Sequence, residues 1–168
     1  MSPLVTVKSA MGVPKGIATD VRAIPFNSTT CRMTWNPTDD TPENLLGRLG
    51  GYKLAYWNAK YGPDMDSPWR VTLNGQMSEG MVIGLEPNTQ YYFAVYVWTE
   101  AGTGPQSQYF LQRTLRSAPI NQPVEVKIYI QSLTAIHVYW RGVSTTHLEE
   151  PLMGYKVRIW REGQEIKV

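Results

Sequence analysis

The amino-acid sequence predicts an all-β protein built as a two-sheet sandwich. Three observations lead there. No long stretch has helical periodicity; short runs alternate apolar and polar residues, and Gly, Pro, Asn and Asp separate them. Seven such runs fall between Pro14 and Thr114, the density of a sandwich of short strands. Part of the pattern then recurs about 100 residues further on, which argues for modules in tandem.

The elements follow in order. The first strand is expected around residues 18–24. TCRMTW, from Thr30 to Trp35, comes second; a period of two puts Cys31, Met33 and Trp35 on one face and Arg32 and Thr34 on the other. YKLAYW, from Tyr52, comes third, with Tyr52, Leu54 and Tyr56 inward and Lys53, Ala55 and Trp57 outward. A fourth run, from Trp69 to Leu73, ends at the turn dipeptide Asn74-Gly75. A fifth, Gly80 to Gly84, has Val82 as its inward residue. The sixth and longest, Tyr91 to Trp98, turns Tyr91, Phe93, Val95 and Val97 inward and Tyr92, Tyr96 and Trp98 outward. Gly102-Thr103-Gly104 reads as a hairpin turn, and Gln108 to Arg113 closes the set.

The repeat is carried by Trp35 with Gly51-Tyr52-Lys53-Leu54, and again by Trp140 with Gly154-Tyr155-Lys156-Val157. Ile136 and Val138 alternate with His137 and Tyr139 before Trp140, as Cys31 and Met33 alternate before Trp35. The junction is placed at 114–123, which holds two prolines and lacks apolar periodicity. Three domain segments are expected: 1–12, the last strand of a preceding module (Pro3 to Lys8) and a linker; 13–115, a complete module; and 116–168, the first strands of a following, truncated one.

Bulk properties narrow the function. The chain has 168 residues, 42% hydrophobic and 18% charged, with 6 Trp and 10 Tyr, a composition suited to packed cores. A net charge of +2 is too small to drive nucleic-acid binding. No apolar run is long enough for a membrane helix, and the first 12 residues lack the apolar core of a signal peptide, so membrane attachment and export are expected to lie elsewhere in a parent protein. Cys31 is the sole cysteine, which excludes an intrachain disulfide and a cysteine metal cluster. Asn27-Ser28-Thr29 is an acceptor triplet for an N-linked glycan, whereas Asn36-Pro37-Thr38 is barred by its proline.

The residues now support a family resemblance. Trp35, Tyr52, Leu85-x-Pro87-x-Thr89-x-Tyr91 and Ala101-Gly102-Thr103-Gly104 together resemble the fibronectin type III domain, a seven-strand immunoglobulin-like sandwich. The resemblance implies that Leu85 packs between the sheets and that Tyr91 forms a tyrosine corner, its hydroxyl bonding back to the preceding loop, which Pro87 and Thr89 shape. Trp140 and Tyr155 take the places of Trp35 and Tyr52 in the second module. The stretch 46–57, and still more 151–162, is similar to the third strand of type III domains in the contactin and L1 groups of neural adhesion molecules. That similarity implies a place on the extracellular side of a cell membrane and a role in adhesion and axon guidance. The implied partners are other cell-surface or extracellular proteins, homophilic contacts included, and neighbouring domains. Receptor phosphatases, Sidekick-like proteins and cytokine receptors share the module. Arg-Gly-Asp, which some type III domains offer to integrins, is absent. Residues 38–46 also depart from the family pattern in their polarity.

Site chemistry points the same way. Cys31 lies on the face of Met33 and Trp35 and reads as a structural thiol, not a nucleophile. His137 and His147 lack metal-ligand spacing, and Asp39, Asp40 and Glu43 are too few for a calcium loop. No catalytic residue, cofactor or metal is expected. The remaining candidate is aromatic: Trp57, Tyr92, Tyr96 and Trp98 on one outward face, either a partner surface or rings covered by the stems of Lys53 and Arg113. Lys156, Arg158 and Trp160 on one strand face, with Arg161 adjoining, form a basic strip that Glu149, Glu150, Glu162 and Glu165 dilute. Two other roles compete with adhesion: a passive spacer between recognition domains, and a cytoplasmic muscle-type sandwich repeat.

Overall fold

The alternation of Cys31, Met33 and Trp35 with polar neighbours becomes a strand with one dry face, and the same rule builds both sheets of the first unit. The structure is a computed structural model and describes residues 11–63, 68–161 and 163–166. The expected strand from Pro3 to Lys8 lies outside the described residues. The chain divides into two units, Met1–Arg116 and Ser117–Val168.

In the first unit, β1 (Thr19–Asn27), β2 (Thr30–Asn36) and β5 (Glu79–Ile83) form one antiparallel sheet in the order β1-β2-β5. The second sheet runs β4 (Trp69–Asn74), β3 (Leu49–Asn58), β6 (Gln90–Thr99), then the closing edge. That edge comes in two pieces, β7 (Gly102–Gln106) and β8 (Phe110–Arg113), both antiparallel to β6. Gly102-Thr103-Gly104 is therefore strand, and the turn sits one step earlier at Glu100-Ala101. Glycine at 102 takes φ +146°, a value that leaves little room for another residue. Ser107 marks the break in the edge: its amide donates to the Val95 carbonyl (3.0 Å) and its hydroxyl accepts from the Val95 amide (2.9 Å). The closing edge thus stays tied to β6 across an irregularity.

The core between the sheets holds Cys31, Met33, Trp35, Tyr52, Leu54, Val82, Leu85, Tyr91, Phe93, Val95 and Val97, all buried. All but Leu85 are inward residues that the period of two selects; Leu85 is the one that the family resemblance implies. Leu45 joins them from an element that the polarity of 38–46 hides, the single helical turn α1 (Pro42–Leu45). Thr41 caps it by accepting from the Asn44 amide, and Pro42 opens it. Residues 12–16 are strapped to this corner. The amides of Lys15 and Gly16 donate to the Asn44 carbonyl, and that of Gly12 to the Leu46 carbonyl (2.7 Å).

Among the described residues, the second unit pairs β9 (Val124–Ser132) with β10 (Ala135–Arg141) and β11 (Ile159–Arg161) with β12 (Gln164–Ile166), both antiparallel. Residues 151–158, expected to include a strand, form none in the described structure.

Candidate functional site

The loop before β6 carries a connected set of hydrogen bonds centred on Tyr91. Tyr91 enters the core at the start of β6, and its hydroxyl accepts from the Glu86 amide at 3.0 Å. Burial raises the phenol's pKa, and the Glu86 amide, which favours the phenolate, partly offsets this. Thr89 donates its hydroxyl to the Pro87 carbonyl (2.8 Å), closing the loop locally. Thr114, arriving from β8, locks the loop from outside: its hydroxyl donates to the Glu86 carbonyl (2.6 Å) and accepts from the Thr89 amide (3.0 Å). Leu85 is buried beneath, and its amide donates to the Thr29 carbonyl at 2.9 Å. Trp35 and Tyr52 meet in the core with ring centroids 5.4 Å apart. Burial is the main cause that raises the pKa of Tyr52. Its hydroxyl faces the Thr38 amide without closing a hydrogen bond of ordinary geometry. Cys31 is fully buried, and burial pushes its thiol up to about 11, so it is neither thiolate nor nucleophile at neutral pH.

The outward aromatics of β3 and β6 do share one sheet face, arranged in rows. Gly51 pairs with Trp98, Lys53 with Tyr96, Ala55 with Ala94, and Trp57 with Tyr92. Trp57 and Trp98 are on the expected outward face, but Trp57 is not an exposed ring there and Trp98 is only half-exposed. Trp57 is only 1% exposed. Ala55 and Ala94 leave a shallow trough between the larger rows, and Trp57, Tyr92 and Tyr96 pack into a second apolar cluster over it. The Trp57 indole donates to the Gly62 carbonyl at 2.6 Å and stacks on Tyr92 at 5.5 Å. Trp98 is half-buried and lies across Gly50, where any side chain would meet its ring, and its indole donates to the Leu73 carbonyl (3.1 Å).

Cationic stems do lie over rings, but one is not the expected residue. Lys53 sits 5.9 Å from the Trp98 ring and donates to the Thr103 hydroxyl at 2.6 Å. The other is Arg70, 5.0 Å from the Tyr96 ring. Arg113 instead donates to the Asn88 carbonyl at 2.7 Å. Tyr96 donates to Gln106, and Tyr109 packs edge-on against Tyr92 at 4.9 Å. The result is a pre-set layer of Tyr92, Tyr96, Lys53 and Arg70 resting on buried tryptophan. Arg70 and Gln106 escaped the sequence reading because their strands carry no contiguous aromatic pattern, and Tyr109 because it sits in the break between β7 and β8.

Asn27 lies at the exposed end of β1. Its Oδ1 accepts from the Thr29 amide (2.9 Å) and the Thr29 hydroxyl (3.2 Å). In the second unit Trp140 and Tyr155 meet edge-on at 5.2 Å, and the Tyr155 hydroxyl accepts from the Val143 amide at 2.8 Å. Lys156 and Arg158 are exposed but belong to no paired strand, so the basic strip loses its expected sheet face. Glu149, expected only to dilute that strip, is buried: its carboxylate accepts from the amides of Ile120 and Thr146, each at 2.6 Å. Among the described residues no group of three His, Cys, Asp or Glu side chains could hold a metal, and no helix is long and apolar enough to cross a membrane.

The two sheets and the locked corner define an immunoglobulin-like sandwich module. Comparison with known proteins names its class: the chain belongs to the fibronectin type III family, whose profile, described as "Fibronectin type III domain", matches residues 16–113. Among curated proteins it is similar to Contactin of Drosophila melanogaster, with 36% identity over 98% of this chain and 12% of that protein. It is also similar to Contactin-5 of Gallus gallus, with 31% identity over 97% of this chain and 15% of that protein. The chain therefore spans well under a fifth of the length of these relatives. Among solved structures, the chicken CNTN1 FN1-FN3 domains match 61% of this chain and 32% of that one, at 25% identity and a TM-score of 0.53.

Proposed function

We propose that this chain is an extracellular recognition module that works in cell adhesion, on neuronal surfaces and in axon guidance, by binding other cell-surface proteins. The similarity to contactins over nearly the whole chain supports the setting. Residues 13–115 form the recognition module, and 116–168 belong to a second module of the same kind. The contact surface is the outer face of β4-β3-β6-β7. The observation that carries this choice is that Tyr92 and Tyr96 are held in place before any partner arrives, by Trp57, Arg70 and Gln106. Pre-set rings lose little freedom on binding, which is how tyrosine becomes an anchor. Trp57 and Trp98 are then the supports of the surface and not its contacts. Asn27 is the glycan acceptor, reachable at the exposed tip of β1.

The test is cell-surface binding by the secreted chain, with Tyr96→Ala and Arg70→Glu combined. Binding should fall by roughly thirty-fold or more, as for loss of a contact worth about 2 kcal/mol, while the unfolding midpoint stays near wild type. Unchanged binding would return the module to the role of a spacer.

A further inference from the structure

The other sheet has an outer face of a different character. Ile24 (58% exposed), Phe26 (69%), Met81 (40%) and Ile83 (69%) all stand on it. Register places them in two adjacent rows. Ile24 pairs with Arg32, and Arg32 with Met81; Asn27 pairs with Thr30, and Thr30 with Ile83. Between Pro25 and Asn27 the β1–β2 register slips by one residue. That bulge sets Phe26 and Asn27 together opposite Thr30, so the ring and the amide leave the sheet side by side. Among the described residues, nothing covers these four apolar side chains as Tyr92 and Tyr96 cover the alanines of the opposite sheet.

Asn27 supplies the occupant. Its Oδ1 is engaged by Thr29 through two hydrogen bonds, which fixes the side-chain amide and leaves Nδ2 without a partner among the described residues. A sugar joined to Nδ2 is tethered beside Phe26 and one strand pair from Ile83. A pyranose ring has an apolar face of C–H groups that can lie flat on an aromatic ring, while its hydroxyls stay in water. Tethering makes that contact intramolecular, so even a weak preference is populated. Arg32, paired with Glu79 through its Nε at 3.1 Å, lies in the next row with N–H groups able to meet sugar hydroxyls.

We propose that the first sugar of an N-linked glycan on Asn27 packs over Phe26 and Ile83 and covers the apolar outer face of β1-β2-β5. This rests on Asn27 being a glycan acceptor. It gives the module two unlike faces: one sheet shielded by carbohydrate, the other left open for a protein partner.

The experiment uses the full chain secreted from animal cells, trimmed enzymatically to a single N-acetylglucosamine and compared with Asn27→Gln. Mass reports occupancy. The isoleucine methyl resonances and the thermal midpoint of the first unit report packing. With the sugar present, the Ile83 methyl signal should shift and the midpoint should rise by about 2–6 °C. Phe26→Ala, at a site exposed enough to leave the fold intact, should keep the added mass and lose most of both effects; Ile83→Ser should do the same. Added mass with no change in the Ile83 signal or the midpoint would overturn the packing and leave the acceptor standing. Effects that persist in both variants would also overturn it. No added mass would remove the acceptor and the inference together.

Discussion

The Tyr91 hydroxyl accepts a hydrogen bond from the Glu86 amide at 3.0 Å, five residues back along the chain. The bond joins the core strand β6 to the loop that leads into it, at a point where Thr114 binds the same loop from β8. Tyr91→Phe keeps the ring in its contacts with Tyr56 and Phe93 and removes only the acceptor. The Glu86 amide is then left unpaired in a half-buried place. The expected loss is about 1–2 kcal/mol, read from urea unfolding followed by tryptophan fluorescence. Tyr91→Ala should cost more, because it also empties the ring's site.

Alkaline pH tests the same residues from another side. Tyr52 and Tyr91 both have raised pKa values, with burial the first cause. A phenol that ionises later when folded holds its proton more tightly in the native state. Its contribution is present in full below the unfolded phenol's ~10 and is lost as pH rises through the higher folded value. Stability should therefore fall above pH ~10, and the fall should be shallower in Tyr91→Phe. A fall of stability with pH that is equally steep in the two proteins, whatever the constant offset between them, would contradict the raised value for Tyr91.

Trp57 gives the sharpest contrast between direction and environment. Period two places it on the outer face, and it is there. Alternation says which side of a sheet a residue faces, but not what covers that side. Here Tyr92 and Tyr96 lean over the small Ala55 and Ala94 and close around the ring, and the Gly62 carbonyl accepts a hydrogen bond from its indole N–H. Trp57→Ala should thus act on stability, at about 2–4 kcal/mol, through the cavity and the orphaned carbonyl. Chemical denaturation decides; a loss under 1 kcal/mol would mean that the ring is peripheral.

Much of the core was readable because it depends only on strand period. Cys31, Met33, Trp35, Tyr52, Phe93 and Val95 need no partner to be assigned a side. What escaped depends on contacts between segments distant in sequence. Arg70 reaches Tyr96 only because β4 flanks β3, and Trp98 settles only because Gly50 is bare. The helical turn at Pro42 was signalled by Thr41-Pro42, a cap followed by a first-turn proline, but polar neighbours masked it. Nothing in a single glutamate marks it as Glu149 is marked in space.

Gly50→Ala examines the seating of Trp98. A methyl group at Gly50 would collide with the indole ring, so the ring must leave its place over β3. The bond to the Leu73 carbonyl and the Lys53 contact should go with it. The expected result is greater solvent exposure of one tryptophan, seen as a red-shifted emission that is absent in Gly50→Ala/Trp98→Phe. An unshifted spectrum would show that the ring is not held there.

Glu149 carries the last prediction. Its two carboxylate oxygens each accept one backbone amide, from Thr146 and from Ile120, and the residue is 2% exposed. Around it the Ser117 amide donates to the Leu148 carbonyl and the Glu150 amide to that of Ser117. The side chain therefore fastens 117–120 to 146–150. The Thr146 amide first, then that of Ile120, lowers the carboxyl's pKa, against an opposing contribution from burial. A depressed carboxylate contributes in full above the unfolded glutamate's ~4.3 and loses its contribution as pH falls through the lower folded value. Hydrogen exchange, corrected for the intrinsic rate at each pH, should show Ile120 and Thr146 protected at neutral pH and progressively less so below pH ~4. Glu149→Gln should weaken that protection at neutral pH, since one of its two arms becomes a donor facing another donor. It should also flatten the acid dependence, since the amide does not titrate. Equal protection of both amides in the two proteins across the whole range would show that the fastening is done by the surrounding backbone bonds alone.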